Sequence, residues 1–127
     1  MRTIAVAELH AEMRAQGVST HEDIAFVCPA CGTVQSMRDF IAAGYNPVDA
    51  ERKIGFSCIG RVTGQGDAGI VAKNKGQPWD KGCNWTLGGL LQIHRLTVIT
   101  PDGTSHPSFE LASPPQAQAH AEKHKQK

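Results

Sequence analysis

Apolar positions along the chain come in short runs whose spacing alternates between helical and extended. Val6, Leu9 and Met13 share one helical face over 6–16, with Glu8, Glu12 and Arg14 elsewhere, and Gly17 follows as a stop. The β-branched and aromatic run at 23–28 predicts a strand that delivers Cys28 to a turn, which 33–35 leaves in extended form. Ser36-Met37-Arg38-Asp39 has the form of a helix start, with Phe40 and Ile41 expected to face inward and Gly44 to end the helix. Asn46-Pro47 opens a second short helix through about Lys53. Ile54, Phe56, Cys58, Gly60 and Val62 then alternate, which predicts a strand over 54–62, with Gly55 and Gly60 marking a bulge or a close approach of backbone.

Gly64, Gly66, Gly69 and Gly76 punctuate residues 63–81, which read as a long surface loop with room for a small strand at 70–72. Pro101-Asp102-Gly103 is a turn signal between 92–100 and 105–111, so these two segments predict a β-hairpin. Pro114-Pro115 reads as the end of the folded region. The resulting expectation is an α+β fold: one small domain over 1–112 with an N-terminal helix, short helices after the Cys28 turn and an antiparallel sheet that includes the hairpin. Residues 113–127 are expected to form a flexible tail.

Composition sharpens this picture. Leu, Ile, Val and Phe make up only about a fifth of the 127 residues, close to the limit for a self-sufficient core. The net charge is +1, so charge repulsion does not hold the chain open. Apolar stretches fall far short of the roughly 18 residues of a membrane span, so no membrane partner is expected. Glu8 interrupts the N-terminal apolar positions and leaves no signal-peptide core, which points to a reducing cytoplasm. Cysteines there are metal ligands more often than disulfides.

Cys28-Pro29-Ala30-Cys31-Gly32 lets two thiolates face one cation, and Gly32 permits the tight turn. Cys58 and Cys83 each stand beside glycine-containing turns. Together Cys28, Cys31, Cys58 and Cys83 make a set for one Zn2+, a closed four-thiolate site of the structural kind. Three rivals stand beside this reading: a CPxC redox pair, a disulfide framework, and a site in which His94 or His106 replaces one cysteine.

No acid–base or nucleophile constellation accompanies the cysteines. His21 reads as a loop residue, His94 as a packed strand residue and His106 as part of the hairpin. Gly64-x-Gly66-x-x-Gly69 matches a nucleotide-loop pattern by letter, but the following residues are not expected to form a helix. His120 and His124 stand four apart, a metal-compatible spacing on a helix, but in a tail they read as two solvated side chains. Trp85 beside Cys83 reads as core. Trp79, with Arg61, Lys73, Lys75 and Lys81, is the candidate contact set for a partner, since aromatics among cations suit an interface or a nucleic-acid strand.

The stretches 26–36, 55–61, 82–90 and 93–110, with their CPxCG turn, Gly-flanked Cys58 and Cys83, and Asp102-Gly103 turn, resemble a family of small phage- and prophage-encoded zinc-ribbon-like proteins. The likeness spans roughly 3–112 and brings no activity with it. It implies an accessory protein made in the cytoplasm of a bacterial host. The function expected is therefore non-enzymatic: binding of a host macromolecule, first of all a protein such as a defence component, with nucleic-acid binding as the alternative and the oligomeric state left open.

Overall fold

The computed structural model describes residues 2–77, 79–87 and 94–125. Among these residues it is an α+β arrangement of two three-stranded sheets, six α-helices and one short 3-10 turn at His21–Asp23. Strand β1 (Arg2–Ala5) runs directly into helix α1 (Val6–Ala15), matching the amphipathic pattern read there. β1 pairs in parallel with β4 (Leu96–Ile99), and β4 pairs antiparallel with β5 (Ser105–Ser108). The turn between them closes as its sequence demands. Gly103 N–H donates to Thr100 O at 2.8 Å, and Gly103 takes φ +85°. Ile4, Leu96 and Val98 bury this sheet's inner face against Val6 and Leu9.

The second sheet has β2 (Ala25–Val27) at its centre, flanked by β3 (Val34–Ser36) and β6 (Glu110–Leu111), all antiparallel. Only Phe109 separates β5 from β6, so the arm expected to belong wholly to the hairpin is divided between two sheets. Phe109 is fully buried at this crossing. Its N–H donates to Gly55 O at 3.0 Å, and its ring lies 5.4 Å from that of Trp85. Residues 92 and 93 of the expected hairpin lie outside the described residues.

Helices α2 (Met37–Ala42) and α3 (Pro47–Lys53) stand where the start signals place them. Asp39 accepts the Ser36 N–H at 2.8 Å, and the Asn46 side chain accepts the Asp49 N–H at 2.9 Å. Phe40 is buried as expected, but Ile41 faces outward.

Three expectations are corrected. The strand over 54–62 is absent: α3 ends at Lys53, a turn follows, Ser57 makes one isolated bridge to Thr86, and the chain enters α4 (Gly60–Thr63). The alternation misled because Phe56 is exposed and Cys58 answers to the other cysteines rather than to a sheet. The loop over 63–81 contains α5 (Ala68–Asn74). Gly69 reads as a breaker but serves packing, since a Cβ there would lie 2.4 Å from Trp79 Nε1 and 2.7 Å from Gly82 O.

The segment expected as a flexible tail contains helix α6 (Pro114–Lys125), packed on β2 and β3. The paired prolines open this helix rather than end the fold, because the first helical turn needs no N–H partner there. Ser113 and Gln116 cap it reciprocally: Ser113 N–H donates to Gln116 Oε1 at 3.0 Å, and Gln116 N–H donates to Ser113 Oγ at 3.3 Å. Ala117 and Ala121 are its buried face.

Candidate metal centre

Three backbone segments converge on the four cysteines. The first is the Cys28–Cys31 turn. Gly32 N–H donates to Cys28 O at 2.8 Å, Cys28 N–H donates to Thr33 O at 3.0 Å, and Gly32 takes φ +81°. Cys58 comes from the link between α3 and α4, and Cys83 from the chain after α5. What brings the last two together is backbone contact between glycines. A Cβ on Gly60 would lie 2.3 Å from both Cys83 N and Gly82 C, and one on Gly82 would lie 2.3 Å from Gly60 N. The close approach read from Gly60 is therefore real, and it is made to the strand of chain carrying Cys83.

All four cysteines are buried and free of disulfides, and their sulfurs lie within 4.8 Å of one another. Cys28 Sγ lies 3.8 Å from Cys83 Sγ, and Cys31 Sγ lies 3.7 Å from Cys58 Sγ. These are opposite edges of a tetrahedron. A tetrahedron with metal–sulfur bonds of about 2.3 Å has edges of about 3.8 Å. Backbone amides add to the site: Cys83 N–H points at Cys58 Sγ from 3.1 Å, and Trp85 N–H at Cys83 Sγ from 3.5 Å. Hydrogen bonding with Cys31, then with Cys58 and Cys83, and burial push the Cys28 thiol far up. The bonds with Cys28, Cys58 and Cys83 hold Cys31 far below the usual thiol range. Four thiols this close share protons unevenly, and a cation is what allows all of them to ionise. The arrangement is compatible with one metal ion. Neither His94 nor His106 joins the cluster.

Gln35 is the support that the sequence pattern did not reveal. Its side chain is fully buried. Nε2 donates to Ile54 O at 2.8 Å and to Ser57 O at 2.9 Å, while Oε1 accepts Ile59 N–H at 2.7 Å. One amide thus binds both sides of Cys58. A glutamine within a polar-apolar alternation carries no mark of this role. Replacing Gln35 with alanine strands three backbone groups in the interior and should cost roughly 3 kcal/mol. Urea unfolding checks this, and an unchanged midpoint would show that water replaces the amide freely.

The residues read as partner contacts lie around the same centre. Lys73 Nζ donates to Pro29 O at 2.9 Å, Arg61 donates to Asn84 O at 3.0 Å, and Trp79 Nε1 donates to Gly82 O. These three use polar groups on the chain itself, tying the Cys28–Cys31 turn, Gly82 and Asn84 in place. Lys75 and Lys81 are exposed. Trp85 is buried beside Cys83 and packs on Phe109, as its core reading requires.

A small α+β protein whose four buried cysteines form one metal-compatible cluster is the class that fold and site define. Within it, the family model described as VVA0879-like matches residues 5–112, and the chain belongs to that family. Neither a curated protein nor a solved structure matches the chain. Among the described residues, no helix is long and apolar enough to cross a membrane.

Proposed function

We propose that the four cysteines hold one structural Zn2+ in a zinc-ribbon-like centre, and that the protein is a non-enzymatic accessory module of phage or prophage origin that binds a host protein in the bacterial cytoplasm. The observation that carries this reading is the closure of the site. Cys28, Cys58 and Cys83 are 0 % exposed and Cys31 is 4 % exposed, so the chain supplies all four donors and leaves no position for a substrate. Zinc suits the set because it accepts tetrahedral thiolates and takes no part in redox chemistry. Iron is the competing ion for four thiolates, and metal analysis separates the two.

Binding then falls to the surface. A groove of about 390 Å³ is lined by Leu9, Met13, Ile24, Met37, Ile54 and Phe56, among others. Phe56 is 42 % exposed beside it, an unusual cost in a chain with only four phenylalanines. The groove's lining mixes these apolar side chains with His21, Glu51, Arg52 and His106, which suits a protein partner over a nucleic acid. The nucleic-acid reading is further weakened because Arg61 and Lys73 donate to carbonyls of their own chain.

Phe56→Asp tests the assignment. The variant should keep its metal and its melting temperature while losing recovery of a defined bacterial partner by at least tenfold. Equal recovery would remove the groove from the account. Steeply salt-dependent DNA or RNA binding, weakened by Lys75→Glu and Lys81→Glu, would replace it with the nucleic-acid reading.

A further inference from the structure

Helix α6 brings His120 and His124 onto one face, four residues apart, directly over Asp39 of α2. His120 Nε2 lies 2.7 Å from Asp39 Oδ2, and His124 Nε2 lies 3.0 Å from Asp39 Oδ1. All three donor atoms fall within 4.8 Å of one another. Their side chains are only 11 %, 12 % and 19 % exposed, in the order His120, His124, Asp39. From these residues we propose a second metal site, separate from the cysteines, that takes one divalent transition-metal ion through His120, His124 and Asp39.

The donor set is two imidazoles and one carboxylate, a combination that suits divalent zinc, iron, cobalt or nickel rather than the soft ions preferred by thiolates. The spacing fits. Adjacent ligands on an octahedral ion with bonds of about 2.1 Å stand about 3.0 Å apart, the separation of His124 Nε2 from Asp39 Oδ1, while His120 Nε2 faces the other oxygen of the same carboxylate. Asp39 is held in orientation from behind, because its Oδ2 also accepts the Ser36 N–H at 2.8 Å. Three protein donors leave positions for water, and the cluster is reachable for it. His120 borders a hollow lined by Val34, Trp79 and Asp80, and His124 borders another lined by Thr20, Asp23 and Arg38.

The site spans two parts of the chain with different standing. Asp39 lies within the stretch matched by the family model, whereas both histidines lie beyond its end at residue 112. A metal there clasps the C-terminal helix onto the domain. It differs from the cysteine site in being open, three-donor and nitrogen–oxygen in character, so it should exchange its ion far more readily.

The test uses the full chain with its cysteine centre loaded with zinc, dialysed and then titrated with Ni2+ by calorimetry. One further equivalent is expected, with affinity reduced at least tenfold in His124→Gln and in Asp39→Asn, and with thiolate-bound zinc unchanged in all three proteins. Since Asp39 variants could loosen α6, the unmutated protein supplies a second readout. Co2+ should broaden or shift the imidazole resonances of His120 and His124 before those of His10, His21 and His106. Absence of a second equivalent, binding unaffected by His124→Gln, or first effects at the other histidines would each overturn the site and leave the cluster as a hydrogen-bonded latch. Those outcomes bear on this site alone, because the zinc content of the cysteine cluster is measured in the same samples.

Discussion

Gly60→Ala should strip the protein of its cysteine centre. The added Cβ would sit 2.3 Å from Cys83 N and Gly82 C and 2.8 Å from Cys83 O. All three atoms are backbone, so no side chain can swing aside. Relief requires the chain carrying Gly82 and Cys83 to move away from Cys58, which breaks the Cys83 N–H bond to Cys58 Sγ and opens the sulfur tetrahedron. Overpacking of this kind costs about 3 kcal/mol before any loss of metal is added. Gly64→Ala is the control. Gly64, unlike Gly60, takes a positive φ, +81°, but open space surrounds the position of its Cβ. That substitution should cost only about 1 kcal/mol of backbone strain and keep the metal. Metal content and urea midpoints of the two variants decide the matter. A Gly60→Ala protein with full metal content would show that the two glycines do not set the site's geometry.

Removing the metal should have a larger effect still. The core around the cysteines counts Cys28, Cys31, Cys58 and Cys83 among its own buried members, beside Phe26, Phe40, Trp85 and Phe109. Without a cation, four neighbouring thiols must be kept protonated or share negative charge in a dry site. Apparent binding energies of structural zinc sites are on the order of 10 kcal/mol, comparable to the whole stability of a domain. A strong chelator, or Cys58→Ser, should therefore abolish cooperative unfolding and release Trp85 to solvent, visible as a red shift of its fluorescence. Zinc added back should restore the fold of the chelated wild type but not that of Cys58→Ser. A chelated protein with an unchanged melting curve would mean that the aromatic packing suffices alone.

How much of this was readable beforehand differs by element. The turn at Cys28–Cys31, the capped helices starting after Ser36 and Asn46, and the turn at Gly103 announce themselves because local chemistry decides them. The convergence of all four cysteines was readable too, since few other uses exist for them in a chain of this composition. Where the reading failed, distant contacts outvoted local pattern. Gly69 looks like a helix breaker but is required by Trp79. Ser113-Pro114-Pro115-Gln116 looks like an ending, yet it is a capped helix start whose Ala117 packs with Ala25 and Ala112. Alternation over 54–62 imitates a strand, but Gln35 reaches across to claim the backbone of Ile54, Ser57 and Ile59. Lys73 in its loop and Arg61 in its strand pattern look like free cations until Pro29 O and Asn84 O appear beside them. A sequence lists such groups without saying which backbone atoms lie within reach.

The most direct test of the account is elemental analysis of protein purified without added metal, joined to X-ray absorption at the metal edge. One zinc per chain bound by four sulfurs is expected, retained on dialysis and absent from Cys58→Ser. Well-folded protein without metal, or zinc bound by nitrogen and oxygen alone, would contradict it.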